Sequence, residues 1–285
     1  MPITHYPLPI MVRFIVLALF NHTDLYDAFE RENTAYLNAF RERRPDMAAN
    51  IRFYYVSFVP DDTAGIYGDE VVVDEMARRI TMRGTETWCP GLLTKTMRAL
   101  AHVNDASKYD FRYDYVIRTN ASSFINLEGF YNELTAFNCA HNGASAEYKY
   151  VIMGSEYAVT SKNDSYGLTD RSMQLYSGTT FMHGVCIVMN AAVVALLCDS
   201  DQQAARINYS VVDDVELGRV FDALSLSQAS CPHGIFKHDL KGRILFMDNA
   251  HDPLVYCNNR FKSNRSIDLS NFNEVATRFI RALIG

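Results

Sequence analysis

The segment Asp213-Asp214-Val215-Glu216-Leu217-Gly218 sets three carboxylates at the head of an apolar-periodic run. The pattern predicts a helix start, with Asp213 as N-cap and Glu216, three residues on, as the returning half of a capping box. Those two roles leave Asp214 without a structural duty. A carboxylate in the first turn, near the positive end of the helix, stays ionised and can accept a proton from an alcohol. The chemistry that suits such a group is activation of a hydroxyl nucleophile.

A second segment, Tyr113-Asp114-Tyr115-Val116-Ile117-Arg118-Thr119-Asn120-Ala121-Ser122-Ser123-Phe124, runs from apolar residues into a cluster of small polar ones. Read as structure, it is a strand followed by an Asx or Ser turn. Read as chemistry, it is a strand end where a nucleotide diphosphate is held, with Arg118 supplying positive charge. Lys95 is a further candidate cation. So are Arg260, Lys262 and Arg265, which a solvated charged loop explains equally well; guanidinium forks suit phosphate. His233 and His238 flank Gly234-Ile235-Phe236-Lys237 and suit a metal ligand, a phosphate donor or a structural role.

Alternating elements would carry these residues. Val12–Phe20 is a continuous apolar run, the pattern of a strand covered on both faces. Helical spacing follows over Tyr26–Arg43, closed by Arg44-Pro45. Ile51–Val59 predicts a strand ending at the turn Pro60-Asp61-Asp62. Helices are expected over Gly91–Val103, Leu127–Phe137, Asn190–Cys198 and Asp213–Leu224, and strands over Tyr113–Arg118, Tyr150–Met153 and Val185–Val188. Strands alternating with helices predict an α/β fold with a central, mostly parallel sheet and flanking helices. Such sheets bind ligands at the carboxyl ends of their strands.

The 285 residues are 48% hydrophobic and 21% charged, with a net charge of −6, which argues against a nucleic-acid-binding surface. Tyrosine and phenylalanine number 17 each, enough to fill a core and also to line a sugar cleft. The six cysteines form no C-x-x-C pair and read as reduced thiols. The apolar run Phe14–Phe20 is too short to span a bilayer, which takes about 20 residues, and no basic leader or cleavage site accompanies it. A soluble, cytoplasmic protein is therefore expected. The five N-x-[ST] triplets, at Asn21, Asn120, Asn163, Asn208 and Asn264, then carry no weight as glycan acceptors.

Taken in order, several of these segments and their neighbours resemble a known family. Tyr67-Gly68-Asp69, Glu86-Thr87-Trp88, Gly91-Leu92-Leu93-Thr94-Lys95-Thr96, the Arg118–Phe124 strand end and Asp213–Gly218 resemble the landmarks of the β-1,3-galactosyltransferase and N-acetylglucosaminyltransferase family. Tyr176-Ser177-Gly178 with His183-Gly184-Val185 looks like its acceptor segment. The resemblance covers roughly residues 12 to 225. It extends to soluble members encoded by large DNA viruses of the chlorovirus kind, for which the host cytoplasm would be the site of action.

The resemblance implies a GT-A-type nucleotide-sugar-binding fold in one glycosyltransferase domain over 1–285, with a nucleotide-binding half over about 1–125 and an acceptor-binding half over about 126–285. It implies transfer from a UDP-sugar to a hydroxyl of an oligosaccharide or other glycan acceptor, with inversion and with Asp214 as general base. The nucleoside is expected at the end of the first strand, around Phe20, Asn21 and His22. Lys95, Arg118, Asn120, Ser122, Arg260, Lys262 and Arg265 would serve the rest of the donor, and Gly178, His183, Gly184 and Asp213 the acceptor. One departure stands out. Where the family carries a D-x-D metal motif, this chain has Asn120-Ala121-Ser122, neutral oxygens where Mn²⁺ or Mg²⁺ wants carboxylates. The literal Asp199-Ser200-Asp201 follows a helix and reads as a solvated turn. Either ion can still arrive with the donor diphosphate, with His238 or Asp239 completing its shell. Two other readings stay open: a retaining glycosyltransferase of the same fold, and a carbohydrate-binding protein that has lost turnover.

Overall fold

The computed structural model describes residues 11–59, 71–141, 149–199, 207–226, 234–240, 243–245, 254–256 and 265–284. The first apolar run forms strand β1 (Phe14–Leu19), buried along its whole length. Its side chains alternate between two cores, as the period-2 geometry of a strand requires. Phe14, Val16 and Ala18 enter one core, and Ile15, Leu17 and Leu19 the other.

Helix α1 (Asp24–Arg43) starts at Thr23, whose hydroxyl accepts the Tyr26 N–H, and carries acidic residues in its first turn and basic ones in its last. A short helix, α2 (Pro45–Ala48), leads to β2 (Ile51–Val59). Strands β3 (Val72–Asp74) and β4 (Arg79–Arg83) follow, then α3 (Gly91–Asn104), β5 (Tyr115–Asn120), β6 (Phe124–Ile125) and α4 (Leu127–His141). The second half contains β7 (Val151–Ala158), the short helix α5 (Met173–Tyr176), β8 (Thr180–Asn190), α6 (Ala191–Cys198) and α7 (Asp213–Ser225). The last elements are β9 (Phe236–Asp239), β10 (Ile244–Leu245), β11 (Val255–Tyr256) and α8 (Arg265–Ile284).

Eight of the described strands form one sheet in the order β3-β4-β2-β1-β5-β8-β7-β9, and strands from both halves of the chain enter it. The fold is α/β, and the sheet is mixed with parallel pairings in a narrow majority. Four of its seven pairings are parallel, and three are antiparallel. The reason lies at β8, which returns antiparallel between β5 and β7, a pairing that needs no crossover helix. Helices α1, α4 and α8 cover one face, burying Phe29, Tyr36, Phe130 and Phe272. Helices α3, α6 and α7 cover the other, burying Leu93, Leu100, Val193 and Phe221.

Helix α7 lies directly on β8. A Cβ added at Gly218 would stand 2.5 Å from the Phe181 Cβ and 2.7 Å from the Thr180 carbonyl, so only glycine permits this approach. No described helix is long and apolar enough to cross a membrane. The expected turn at Pro60-Asp61-Asp62 and the Tyr67-Gly68-Asp69 landmark lie outside the described residues, as do His233, Ser200 and Asp201.

Candidate active site

The parallel strands β1 and β5 end side by side, with Leu19 opposite Asn120. The Ala121 N–H donates to the Leu19 carbonyl at 2.9 Å, fixing the two exits. The antiparallel β8 enters at this same end, its Cys186 opposite Thr119. Helix α7 begins against it.

The expected capping box does not form. Val212 is the N-cap, and Asp213 is already helical. The Asp213 carboxylate turns inward, 2.6 Å from Arg118 Nη2 and 3.0 Å from the Thr96 hydroxyl that donates to it. Glu216 is fully buried and accepts from the Tyr176 hydroxyl at 2.5 Å, the Asn208 N–H at 2.7 Å and the Arg219 guanidinium. Each acid instead meets a guanidinium in a charge-assisted contact. Of the three carboxylates, Asp214 alone keeps some solvent exposure.

Asp214 is held by backbone. Its Oδ2 accepts the Gly184 N–H at 2.8 Å, and its Oδ1 the Val215 N–H at 2.9 Å. A Cβ at Gly184 would stand 3.0 Å from Asp214 Oδ2 and 3.1 Å from Arg118 Nη1, so a side chain there would crowd both groups. Burial and then the neighbouring Asp213 charge push the Asp214 carboxyl up to about 6, while Arg118 and the two amide N–H groups oppose the rise.

The two best-placed cations are engaged inside the protein. Arg118 is buried; its Nη1 donates to the Gly184 carbonyl and to Asn120 Oδ1, and its Nη2 meets Asp213. Its Nε has no hydrogen-bond partner among the described residues. Lys95 is equally buried and donates to the Phe20 carbonyl at 2.7 Å and to both Glu86 oxygens at 2.6 and 2.7 Å. Burial lowers its pKa and Glu86 works against that. Lys95 therefore ties the end of β1 to the 86–91 segment, and Arg118 ties β5, β8 and α7 together.

Around this centre, Asn21 is half-buried and His22 exposed, with the His22 ring edge-on to Phe20 at 5.1 Å. Burial and then Arg79 lower the His22 pKa. Ser122 is half-buried just beyond Asn120. His183 accepts the Val185 N–H at 3.2 Å and its ring lies 5.3 Å from Tyr157. Burial, then Arg118, pull His183 down to about 4, so it is neutral at physiological pH. Gly178 takes a positive φ of 80°, and a Cβ there would meet no described atom within 4 Å. The structure thus brings Asp213, Asp214, Gly184, Arg118 and Asn120 into direct contact, with His183 within reach of the Arg118 charge. His238 is elsewhere, on β9, with its ring against Phe137 at 5.5 Å and three places along the sheet from β5. Arg260 and Lys262 lie outside the described residues, as does the side chain of Arg265, which opens α8.

The donor set at the β5 exit does not fit a D-x-D type of metal site. Asn120 and Ser122 offer neutral oxygens, and Asn120 Oδ1 already accepts from a guanidinium whose charge repels a dication. Among the described residues no group of three or more His, Cys, Asp or Glu side chains converges to hold an ion.

Several contributors were not singled out as site residues in the sequence. Thr96 reaches Asp213 across 117 residues. Arg79 sits 4.9 Å over the Phe20 ring, is bridged to Glu30 at 2.5 Å, and keeps Nη1 buried with no partner among the described residues. Glu86, which fixes Lys95, was legible only as part of a motif.

The fold and site define an α/β protein with a mixed sheet and a helix-borne carboxylate at the strand exits. No family model matches the chain, and no curated protein matches it in sequence. Among solved structures, it is similar to one described as the crystal structure of a glycosyltransferase involved in the glycosylation of the major capsid of PBCV-1. The match has 9% identity, covers 92% of this chain and 99% of that one, and has a TM-score of 0.48.

Proposed function

We propose that this chain is a GT-A-type glycosyltransferase that moves a sugar from a UDP-sugar to a hydroxyl of a glycan acceptor with inversion. The observation that supports it best is Asp214: a partly exposed carboxylate at the strand exits, held by two backbone N–H groups, with a proton affinity suited to a base near neutral pH. In the reaction the acceptor oxygen bonds to the anomeric carbon as the bond from that carbon to the diphosphate oxygen breaks. The nucleotide diphosphate leaves with the electron pair, and the hydroxyl proton passes to Asp214. Phe20, Asn21 and His22 would meet the nucleoside, and Asn120 and Ser122 the diphosphate side. With Lys95 and Arg118 engaged internally, they act by positioning, and Arg260, Lys262 and Arg265 become the candidates for charge at the leaving group. Gly178, His183, Gly184 and Asp213 would border the acceptor. Incubation with a panel of UDP-sugars, read as slow UDP release, tests the reading.

The internal neutralisation of Lys95 and Arg118 favours a second reading, a carbohydrate-binding protein without turnover. Glycan binding with no UDP release from any donor would establish it.

The pKa shift fixes a pH dependence. Only ionised Asp214 accepts a proton, so kcat/KM should rise with pH through an apparent pKa near 6 and then level off. The same shift acts oppositely on stability. The native carboxyl holds its proton up to about 6, against a usual 3.8, so the native state binds more protons in that window. This contribution therefore lowers stability as pH rises from about 4 to 6. Kinetics and thermal melts across pH 4–8 check both signs; a profile flat down to pH 5 would remove Asp214 as the base.

Metal dependence is expected to be weak, because the chain offers neutral oxygens where a hard dication needs anionic ones. Activity should survive exhaustive EDTA treatment and fall in the Arg260→Ala/Lys262→Ala double variant. Loss with EDTA and normal activity in the double variant would reverse the assignment.

A further inference from the structure

We propose that Trp88 and Tyr166 form an aromatic platform beside Asp214 on which a pyranose ring of the acceptor stacks. This rests on the glycosyl-transfer reading and adds the acceptor subsite to it.

Trp88 is the chain's only tryptophan, and its side chain is 59% exposed. A large ring left in water on a well-fixed backbone, with a second ring beside it, offers a face on which a ligand can stack. The backbone around it is fixed on both sides. Glu86 is clamped by Lys95 and also accepts the Phe58 N–H at 3.2 Å, while the Thr87 hydroxyl accepts the Gly91 N–H at 3.0 Å at the start of α3.

The Tyr166 ring stands 6.1 Å from that of Trp88, tilted at 55°. Its own segment is joined to the start of α7. The Tyr166 carbonyl accepts the N–H of Val212, two residues before Asp214, at 3.0 Å. At Gly167, with φ of 76°, a Cβ would fall 1.9 Å from the Ser210 carbonyl oxygen, so the two backbones are in direct contact. The charge of Asp214 contributes to raising the Tyr166 pKa, after burial, and Asp213 and Asp214 do the same for Cys89, next to Trp88. The half-buried Tyr166 ring, and the backbone that carries the exposed Trp88 ring, therefore lie within electrostatic reach of the base. Two rings at this tilt make a corner rather than a slot, suited to one sugar ring that lays a run of axial C–H bonds on the indole and turns a hydroxyl edge towards the carboxylate.

Because no other tryptophan contributes, fluorescence excited at the indole band reports on Trp88 alone. Titration with methyl glycosides of the common pyranoses, in the presence of UDP, should give a saturable emission shift with at least one of them. In transfer assays Trp88→Ala should raise the acceptor KM about tenfold, with Trp88→Phe recovering most of the loss. A silent emission titration together with an unchanged acceptor KM in Trp88→Ala would overturn the platform. Release of UDP by the wild-type protein with no acceptor present judges the transferase reading separately. If no donor is turned over, the emission titration still decides whether Trp88 contacts sugar.

Discussion

Replacing Asp214 with asparagine is expected to lower transfer by about 10²–10⁴-fold, the usual contribution of a positioned general base, while donor affinity stays close to wild type. The amide matches the carboxylate in size and keeps one oxygen for the two N–H groups, from Gly184 and Val215, that now meet two. It cannot take the acceptor proton. The lost acceptor costs about 1 kcal/mol. That loss is offset in part by removing a charge that burial and Asp213 disfavour, so the melting temperature should stay near wild type. Loss of activity without loss of fold separates a base from a structural carboxylate. Calorimetry with the donor and a coupled UDP-release assay provide the two readings. Near-normal turnover in Asp214→Asn would mean that the proton goes elsewhere.

The sequence made the interior of the sheet legible and its rim much less so. β2 occupies the expected Ile51–Val59, and α1 and α3 agree with their expected spans to within two residues, because continuous apolar runs and helical spacing have few other solutions. β5 is displaced to Tyr115–Asn120: Thr119 and Asn120, expected in the turn, are paired with Ala18 and Leu19 of β1, because pairing satisfies their backbone groups. β8 is likewise longer than its apolar stretch, with His183 and Gly184 in its first half. Two features were present but unread. Ile80 and Met82 are buried and alternate with Arg79, Thr81 and Arg83, a period-2 pattern in β4. In α8, Phe272, Val275, Ala276 and Phe279 recur at helical spacing and pack on the α1 side of the sheet.

The candidate base was singled out in the sequence for an incomplete reason. Asp214 stood out because capping was assigned to Asp213 and Glu216. In the structure neither caps, yet both are consumed, one by Arg118 and Thr96 and the other by Tyr176, Asn208 and Arg219. Arg219 is three residues from Glu216 and Asn208 eight, but Arg118, Thr96 and Tyr176 lie far away in the chain, and no local pattern announces them. The expectation that Lys95 and Arg118 face a diphosphate met the same obstacle. A sequence shows a cation but not the carboxylate that neutralises it, and Glu86 and Asp213 do that here at 2.6 Å each.

That neutralisation makes Arg118 the residue whose loss should cost the fold most. In Arg118→Met, Asp213 keeps its buried carboxylate, now with only the Thr96 hydroxyl as donor, and the Gly184 carbonyl and Asn120 Oδ1 each lose a guanidinium N–H. Removing one partner of a buried ion pair costs about 3–5 kcal/mol, which for a chain of this length lowers the melting temperature by on the order of 10 °C. The loss has a sign with pH. Arg118 opposes the rise in the Asp214 pKa, so without it the Asp214 carboxyl holds its proton to higher pH in the native state. Stability then falls more steeply as pH rises, and the deficit against wild type should be larger at pH 8 than at pH 5. Arg118→Lys should recover little, because a point ammonium lacks the span of the fork whose Nη1 meets Gly184 and Asn120 while Nη2 meets Asp213. Arg118→Met combined with Asp213→Asn should recover more, since the uncompensated charge is gone. Thermal melts of the four proteins at the two pH values check the order. If Arg118→Met melts within about 2 °C of wild type at pH 8, the Arg118–Asp213 pair is not what holds β5, β8 and the base-bearing helix in register.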